Sequence, residues 1–507
     1  MNLFQRPLYG HYKRQGPFKF YLIAFIISVF ACLALGILTL FSIFAEPLHK
    51  VLGYNQSIIN NVIIFQVLGI NIFTPLSGYI ADAKGIWILS CIAFFGYFIG
   101  FNLILAVVRF GLGRHYIYTS FFILGCSHAS FLFSCLLNSA KSLGRYYRTL
   151  SISAPNMMVS FSSFIEIQIL HKYFNKENAI SERDNFENIL MFFLYLLLFA
   201  CILSFVSCKL TDTTEYFEFE YDETSTSIHE EFLNFETSPL LTGAGTVIHS
   251  GQTSIIGSPR SWYVDDTLNL DDELSMLSSS TNLNNSRLLL TPYRQKVNSF
   301  IFDPYMYPLL FCCLISIGAT EFFIANLSSI LGNLNLSKYL DENLQLFSIS
   351  STITRFTIMI FTDLFCTSFQ ISRLTLFTLV VILCGVVHIY LSSTPIVNID
   401  FQIVIVIVSI LNSAVFTLFP AILASIYGIE ILGTTWGVCS SSSVFGNMFL
   451  NLMYSMDFGK NCVSNMSSNL VICSTLTFFA SGVMLLFFGF AVFWLRATYL
   501  RRAGEFF

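Results

Sequence analysis

Long apolar runs alternate with short polar turns over most of the chain. A helix needs about 20 apolar residues to cross a bilayer core about 30 Å thick. On that rule the pattern predicts spans at 18–45, 57–80, 86–108, 116–140, 150–170 and 188–208, and again at 303–331, 343–363, 372–392, 401–427, 434–456 and 473–495. Between the two sets lies a stretch rich in Ser, Thr, Asn and acidic residues, which cannot bury a core and is expected to be a disordered cytosolic loop. The predicted organisation is a six-helix half at 1–208, a central loop at 209–302 and a second six-helix half at 303–507. An even number of spans places both termini on one side.

Composition sharpens this picture. The chain is 55% hydrophobic and 11% charged, far below the usual quarter of charged residues. Acyl-chain surroundings explain the deficit, because each charge there costs several kcal/mol. A net charge of −4 gives no reason to expect a nucleic-acid partner. The first eighteen residues are polar and basic, and the apolar run after them is too long for a signal peptide, so the first span is expected to act as its own insertion signal.

Charge placement orients the spans. With both termini cytosolic, the inner segments hold twelve Lys and Arg and the outer loops eight, a modest bias in the expected direction. Sequons at Asn55, Asn335 and Asn465 all fall in outer loops under this topology, as glycosylation candidates. Most of the thirteen Cys sit in apolar runs as small hydrophobes, whereas Cys462 and Cys473 flank an outer loop where an oxidising lumen would permit a disulfide.

Few residues carry chemistry. The turn after the second span reads Gly78-Tyr-Ile-Ala-Asp82-Ala-Lys84-Gly85 and resembles the facilitator-superfamily signature G-x-x-x-D-[RK]-x-G, with the basic residue displaced by one place. Gly78 would permit close helix approach, and Asp82 would cap a helix N-terminus across the same face, which implies a gating role. Asp363, at the end of the eighth span, is a weak echo of Asp82. Arg355 lies near the middle of that span, where a charge must face a partner or a water-filled cavity. An anionic substrate would suit it, since guanidinium grips a carboxylate with paired donors. The other reading is an ion pair with Glu321 of the seventh span. Glu321 could instead take up and release a proton. Glu166, His128 and Asn326 are further candidates for a substrate or ion path. Asn71, Asn138, Asn412, Asn447 and Asn451 would line a path or tie helices together. Ser440 to Ser443 beside Gly446 reads as close helix packing.

The central loop contains Glu236-Thr-Ser-Pro-Leu240-Leu241, which resembles an acidic dileucine sorting signal read by adaptor complexes. Walker A, H-E-x-x-H and G-x-S-x-G motifs are absent, so neither ATP hydrolysis nor another enzymatic activity is expected. Six spans, a long loop and six spans is the layout of the all-helical major facilitator fold, in which substrate sits near the midplane.

Taken in order, several stretches make the chain similar to the fungal monocarboxylate-transporter homologues, in their vacuolar branch. They are Phe302-Asp303-Pro304, Glu321 to Asn326, Ser350 to Asp363, Phe416 to Pro420, Gly433 to Gly437, and the loop ending at Cys473. The resemblance implies a vacuolar membrane protein of the facilitator superfamily with an unsettled substrate. Together with Arg355 it leads to the reading of a secondary transporter that moves a small metabolite, an anion being one candidate class, by alternating access. No cofactor is expected, and coupling to a proton gradient is one reading of Glu321. A monomer is expected. Monocarboxylate carriers have an acidic residue four places before the corresponding Arg and a Lys in the first span. Here the first position is Ser351, and no Lys stands between Lys19 and Lys50. The alternatives are a plasma-membrane monocarboxylate/proton symporter and a non-transporting transceptor with a regulatory central loop.

Overall fold

A chain this apolar must satisfy its backbone within each segment, and the helix is the element that does so. The computed structural model describes residues 16–36, 48–54, 56–144, 147–173, 182–236, 290–327, 330–331, 339–369, 372–393, 401–461 and 475–495. Among these there are helices and no strands.

The first half contains α1 (Pro17–Ala31), α2 (Gln56–Lys84), α3 (Trp87–Phe110), α4 (Arg114–Leu143), α5 (Arg148–Tyr173) and α6 (Glu182–Glu236). A short amphipathic helix α7 (Leu290–Phe302) precedes the second half: α8 (Met306–Ala325), α9 (Leu340–Phe369), α10 (Arg373–Ser393), α11 (Phe401–Tyr427), α12 (Leu432–Asn461) and α13 (Thr475–Leu495). Ten of the described helices are long and apolar enough to cross a membrane. The remaining two long ones, α5 and α12, are diluted by Ser, Asn and Gly, and both lie at the contact between halves.

Several boundaries depart from the sequence expectation, α1 ending at Ala31 among them, and three departures bear on the central stretch and the ninth helix. Helix α6 runs past residue 208 to Glu236, into the stretch expected to be disordered. A helix already nucleated gains one hydrogen bond for each residue added, and Thr211, Thr213 and Thr214 bond back to the carbonyls of Ser207, Lys209 and Leu210. Helix α7 forms inside the same stretch because Tyr293, Val297 and Phe300 make an apolar stripe, which packs on Met306, Leu310, Tyr427 and Ile431. Helix α9 continues past Asp363 to Phe369, so Asp363 does not end it.

The two halves repeat one packing scheme. Helix α9 meets α11 as α2 meets α4, and α10 meets α11 as α3 meets α4. The halves touch where α2 crosses α12 and where α5 crosses α9 and α11. These packed helices belong to one unit, residues 1–215 with 293–507, and residues 216–292 form a second.

Candidate functional site

The contact between halves is built from polar groups at helix ends and at prolines. On the face where α2 ends and α12 begins, the Asp82 carboxylate caps α12. It accepts from the backbone N–H groups of Gly433 (3.2 Å) and Thr434 (2.6 Å) and from the Thr434 hydroxyl (2.8 Å). An anion at a helix N-terminus satisfies orphan donors and meets the positive end of the dipole. Gly78 makes this possible, because a Cβ there would strike the Gly433 backbone. Gly85 has φ +110, closing the turn into α3 in a conformation L side chains rarely adopt. Lys84 is exposed. The cation that acts on Asp82 is Lys141 of α4.

Helix α7 joins the same junction. The Tyr293 hydroxyl and that of Thr434 lie 2.9 Å apart, the Tyr293 ring is 6.1 Å from that of Tyr79 on α2, and Lys296 pairs with Glu430. Burial pushes the Tyr293 phenol above its usual range, so it stays a neutral hydroxyl. Asp303 at the head of α8 accepts from the Tyr305 N–H and the Tyr427 hydroxyl, both at 2.9 Å.

Deeper in the contact, Pro420 has no N–H to give the Phe416 carbonyl of its own helix. The Asn156 side chain of α5 supplies the missing donor at 3.1 Å. Ser153 donates to the neighbouring Thr417 carbonyl, also at 3.1 Å. Arg355 enters beside this crossing from the middle of α9. The residue is 9% exposed. Nη1 donates to the Asn156 carbonyl (2.8 Å) and to the Ser160 hydroxyl (2.5 Å), both on the opposite half. The Phe416 ring centroid lies 5.8 Å from the guanidinium carbon. Nε is buried without a hydrogen-bond partner, and among the described residues no carboxylate lies within ion-pair distance. Ser351, one turn before Arg355, is tied instead to Ser413 of α11 at 2.9 Å.

The expected Arg355–Glu321 pair is therefore not formed. Glu321 turns to α12, where Asn447 donates to its Oε2 at 3.0 Å. Asn451 donates to the Asn447 side-chain oxygen, and Asn326 donates to the Asn451 side-chain oxygen at 2.7 Å. Positions 447 and 451 share a helix face by their spacing. Gly318 and Gly446 let α8 and α12 approach closely, since a Cβ on Gly318 would come within 2.7 Å of the Gly446 backbone.

The other candidates fall elsewhere. Glu166, a candidate for a substrate or ion path, is 1% exposed and accepts from Ser162 at 3.4 Å. Small residues permit that burial, because Gly36 crosses α5 at Ser162 and Ser163. His128 is buried in α4, with Nδ1 unpartnered. Asn138 is a helix tie, donating to Ser28 (2.7 Å) and Ser207 (2.8 Å). Asn71 bonds back to its own helix at Val67. Ser440, Ser441 and Ser442 also bond to their own helix, and Gly446 is the close-packing residue of that group. Glu236 is the last residue of α6. Asn55, Asn335, Asn465, Cys462, Cys473, Leu240 and Leu241 lie outside the described residues. Asn156, Ser160, Phe416 and Tyr293 were not anticipated, and only Pro420 hinted at the first and third of them.

Solved structures share this architecture. The proton:xylose symporter XylE superposes with a TM-score of 0.59 at 11% identity, covering 95% of this chain and 96% of the symporter. The fucose:proton symporter FucP of E. coli gives 0.56 at 9% identity, covering 93% and 99%. At such low identity the likeness establishes the fold alone, which is that of the major facilitator superfamily. No family model matches the sequence. "Probable transporter MCH1" of Debaryomyces hansenii is 28% identical over 461 residues, 88% of this chain and 86% of that protein. The proteins of the same name from Candida albicans and Saccharomyces cerevisiae are 27% and 24% identical, each over 87% of this chain. The fungal monocarboxylate-transporter homologues are its relatives. At 87–88% of this chain, the similarity to these MCH1 proteins extends over both halves.

Proposed function

We propose that the chain is a secondary active transporter that moves a small organic anion across the vacuolar membrane by alternating access. In this reading it draws on a proton gradient and keeps both termini in the cytosol. The observation that carries it is Arg355: a buried guanidinium beside the crossing of the two halves, with Nη1 held by the opposite half and, among the described residues, no carboxylate beside it. A charge in that position is costly unless something answers it. An anion arriving at the edge formed by Nε and Nη2 would be gripped by paired donors. The fold and the names of the relatives favour transport over catalysis. Asp82 and Gly78 would govern closure on the face they share with α12, and Leu240 and Leu241 would direct the protein to the vacuole.

The test is uptake of a panel of radiolabelled mono- and dicarboxylates into vacuolar-membrane vesicles that carry the full-length protein. Arg355→Ala should abolish uptake of whichever acids are accepted. Arg355→Lys should retain a small fraction, because an ammonium lacks the paired geometry. An Arg355→Ala protein that reaches the membrane and transports every accepted acid at the original rate would sink the reading.

A further inference from the structure

The Glu321 network has a polarity. Asn326 donates to Asn451, Asn451 to Asn447, and Asn447 to the carboxylate, so three carboxamides point their donors toward one acidic group. Chained hydrogen bonds polarise one another, and the sum falls on the last acceptor. Such a chain fixes the carboxylate rotamer and engages Oε2 with Asn447.

No described cation answers Glu321. Among the described residues no Lys, Arg or His lies within ion-pair distance of it, and Arg355 is committed to α5. Helix α8 packs on α11, α12 and α13. Among the residues whose side chains are described, the titratable groups these elements bring to the region are neutral or acidic. Glu321 and Cys439 of α12 both act electrostatically on Cys313 of α8, while Tyr454 of α12 stacks edge-on against Phe322. Asp457 of α12 is spent on the N–H and hydroxyl of Thr477. Helix α13 carries no charged residue at all. An intramembrane carboxylate with hydrogen-bond donors but no counter-charge needs a cation that can come and go, and the smallest is a proton.

We propose that Glu321 is the proton-binding site that couples this transporter to a gradient, with Asn447, Asn451 and Asn326 as its positioning residues. Its role in coupling rests on the transport reading above. The step is a proton transfer from hydronium to a Glu321 oxygen: one O–H bond breaks, another forms, and the carboxylate passes from charge −1 to neutral. Asn447 donates to Oε2, which leaves the second oxygen to receive the proton.

The experiment needs no transported substrate. Full-length protein in phosphatidylcholine vesicles is followed by infrared difference spectroscopy as pH is lowered, reading the C=O stretch of protonated carboxyl groups. The wild-type protein should show a band that Glu321→Gln removes and Asp457→Asn leaves in place. Gln can still accept from Asn447, so the helix contact is retained. If Glu321→Gln does not fold, Glu321→Asp should move the band without abolishing it. Asn447→Leu should shift the midpoint of the titration by about one pH unit, the scale of one hydrogen bond to a charged group. The proposal is overturned if the band survives Glu321→Gln, or stays in place in Glu321→Asp. It is overturned too if sodium chloride at constant pH suppresses the band, which would make this a metal-cation site. An unmoved midpoint in Asn447→Leu would remove the positioning role. Failure here leaves the Arg355 reading intact, and failure of the Arg355 uptake test leaves this one intact.

Discussion

Each half has a buried polar seam, and the two seams are built differently. In the first half, Ser90 of α3, Ser134 of α4 and Ser204 of α6 form a triangle with edges of 2.6, 3.0 and 3.0 Å. One turn away along α4, Asn138 ties Ser28 of α1 to Ser207 of α6. That seam is built of neutral groups, and its network closes on itself, on the thiols of Cys135 and Cys208, or on a backbone carbonyl such as Ala24. In the second half, the α8–α12 seam is a line of carboxamides that ends on Glu321. The closed seam is made of hydroxyls, a carboxamide and thiols and holds no carboxylate, so it fixes helices in place. The open seam ends on a group whose charge can change. Polar content alone therefore does not mark function in a membrane helix; what the network ends on does.

Substitutions can break or sharpen this contrast. The largest effect is expected from Gly318→Leu, whose side chain would collide with the Gly446 backbone and force α8 from α12. Overpacking of this kind costs about 3 kcal/mol. It should lower the thermal midpoint in detergent and erase the Glu321 infrared band together. Next comes Asn138→Leu, which leaves Ser28 and Ser207 without their shared donor, at a cost of about 2 kcal/mol. Its thermal midpoint should fall while the pH profile of uptake stays where it was. A moved profile would mean that the first seam also takes part in coupling. The smallest effect is expected from Ser134→Ala, at about 0.6 kcal/mol, the usual value of an interhelical hydrogen bond in a bilayer. It should alter neither the pH profile nor the uptake rate.

Hydropathy made most of the fold legible, because lipid forces apolar side chains outward over whole spans. Its boundaries failed where another force took over: helix propagation beyond residue 208, and the apolar stripe of α7, too short to register as a span. The weak charge bias also has a cause. Arg183 donates to the carbonyls of Val108 and Arg109 at the end of α3, and Arg109 pairs with Glu187, so these outer cations serve helix ends. The signature turn identified Asp82 correctly as a cap, because capping follows from local sequence and topology. The Arg355–Glu321 pair did not form because pairing depends on helix rotation, which hydropathy does not set. The spacing of Asn447 and Asn451 did hold the information that they share a face. What it lacked was the partner helix.

The carboxylate that caps α12 lies 351 residues before the first amide it meets. During synthesis Asp82 enters the membrane long before α12 exists, and α12 emerges with its first N–H groups uncovered until it finds the turn after α2. Biogenesis of this protein thus has a direction: the later-made helix completes its own first turn only against a half already in place.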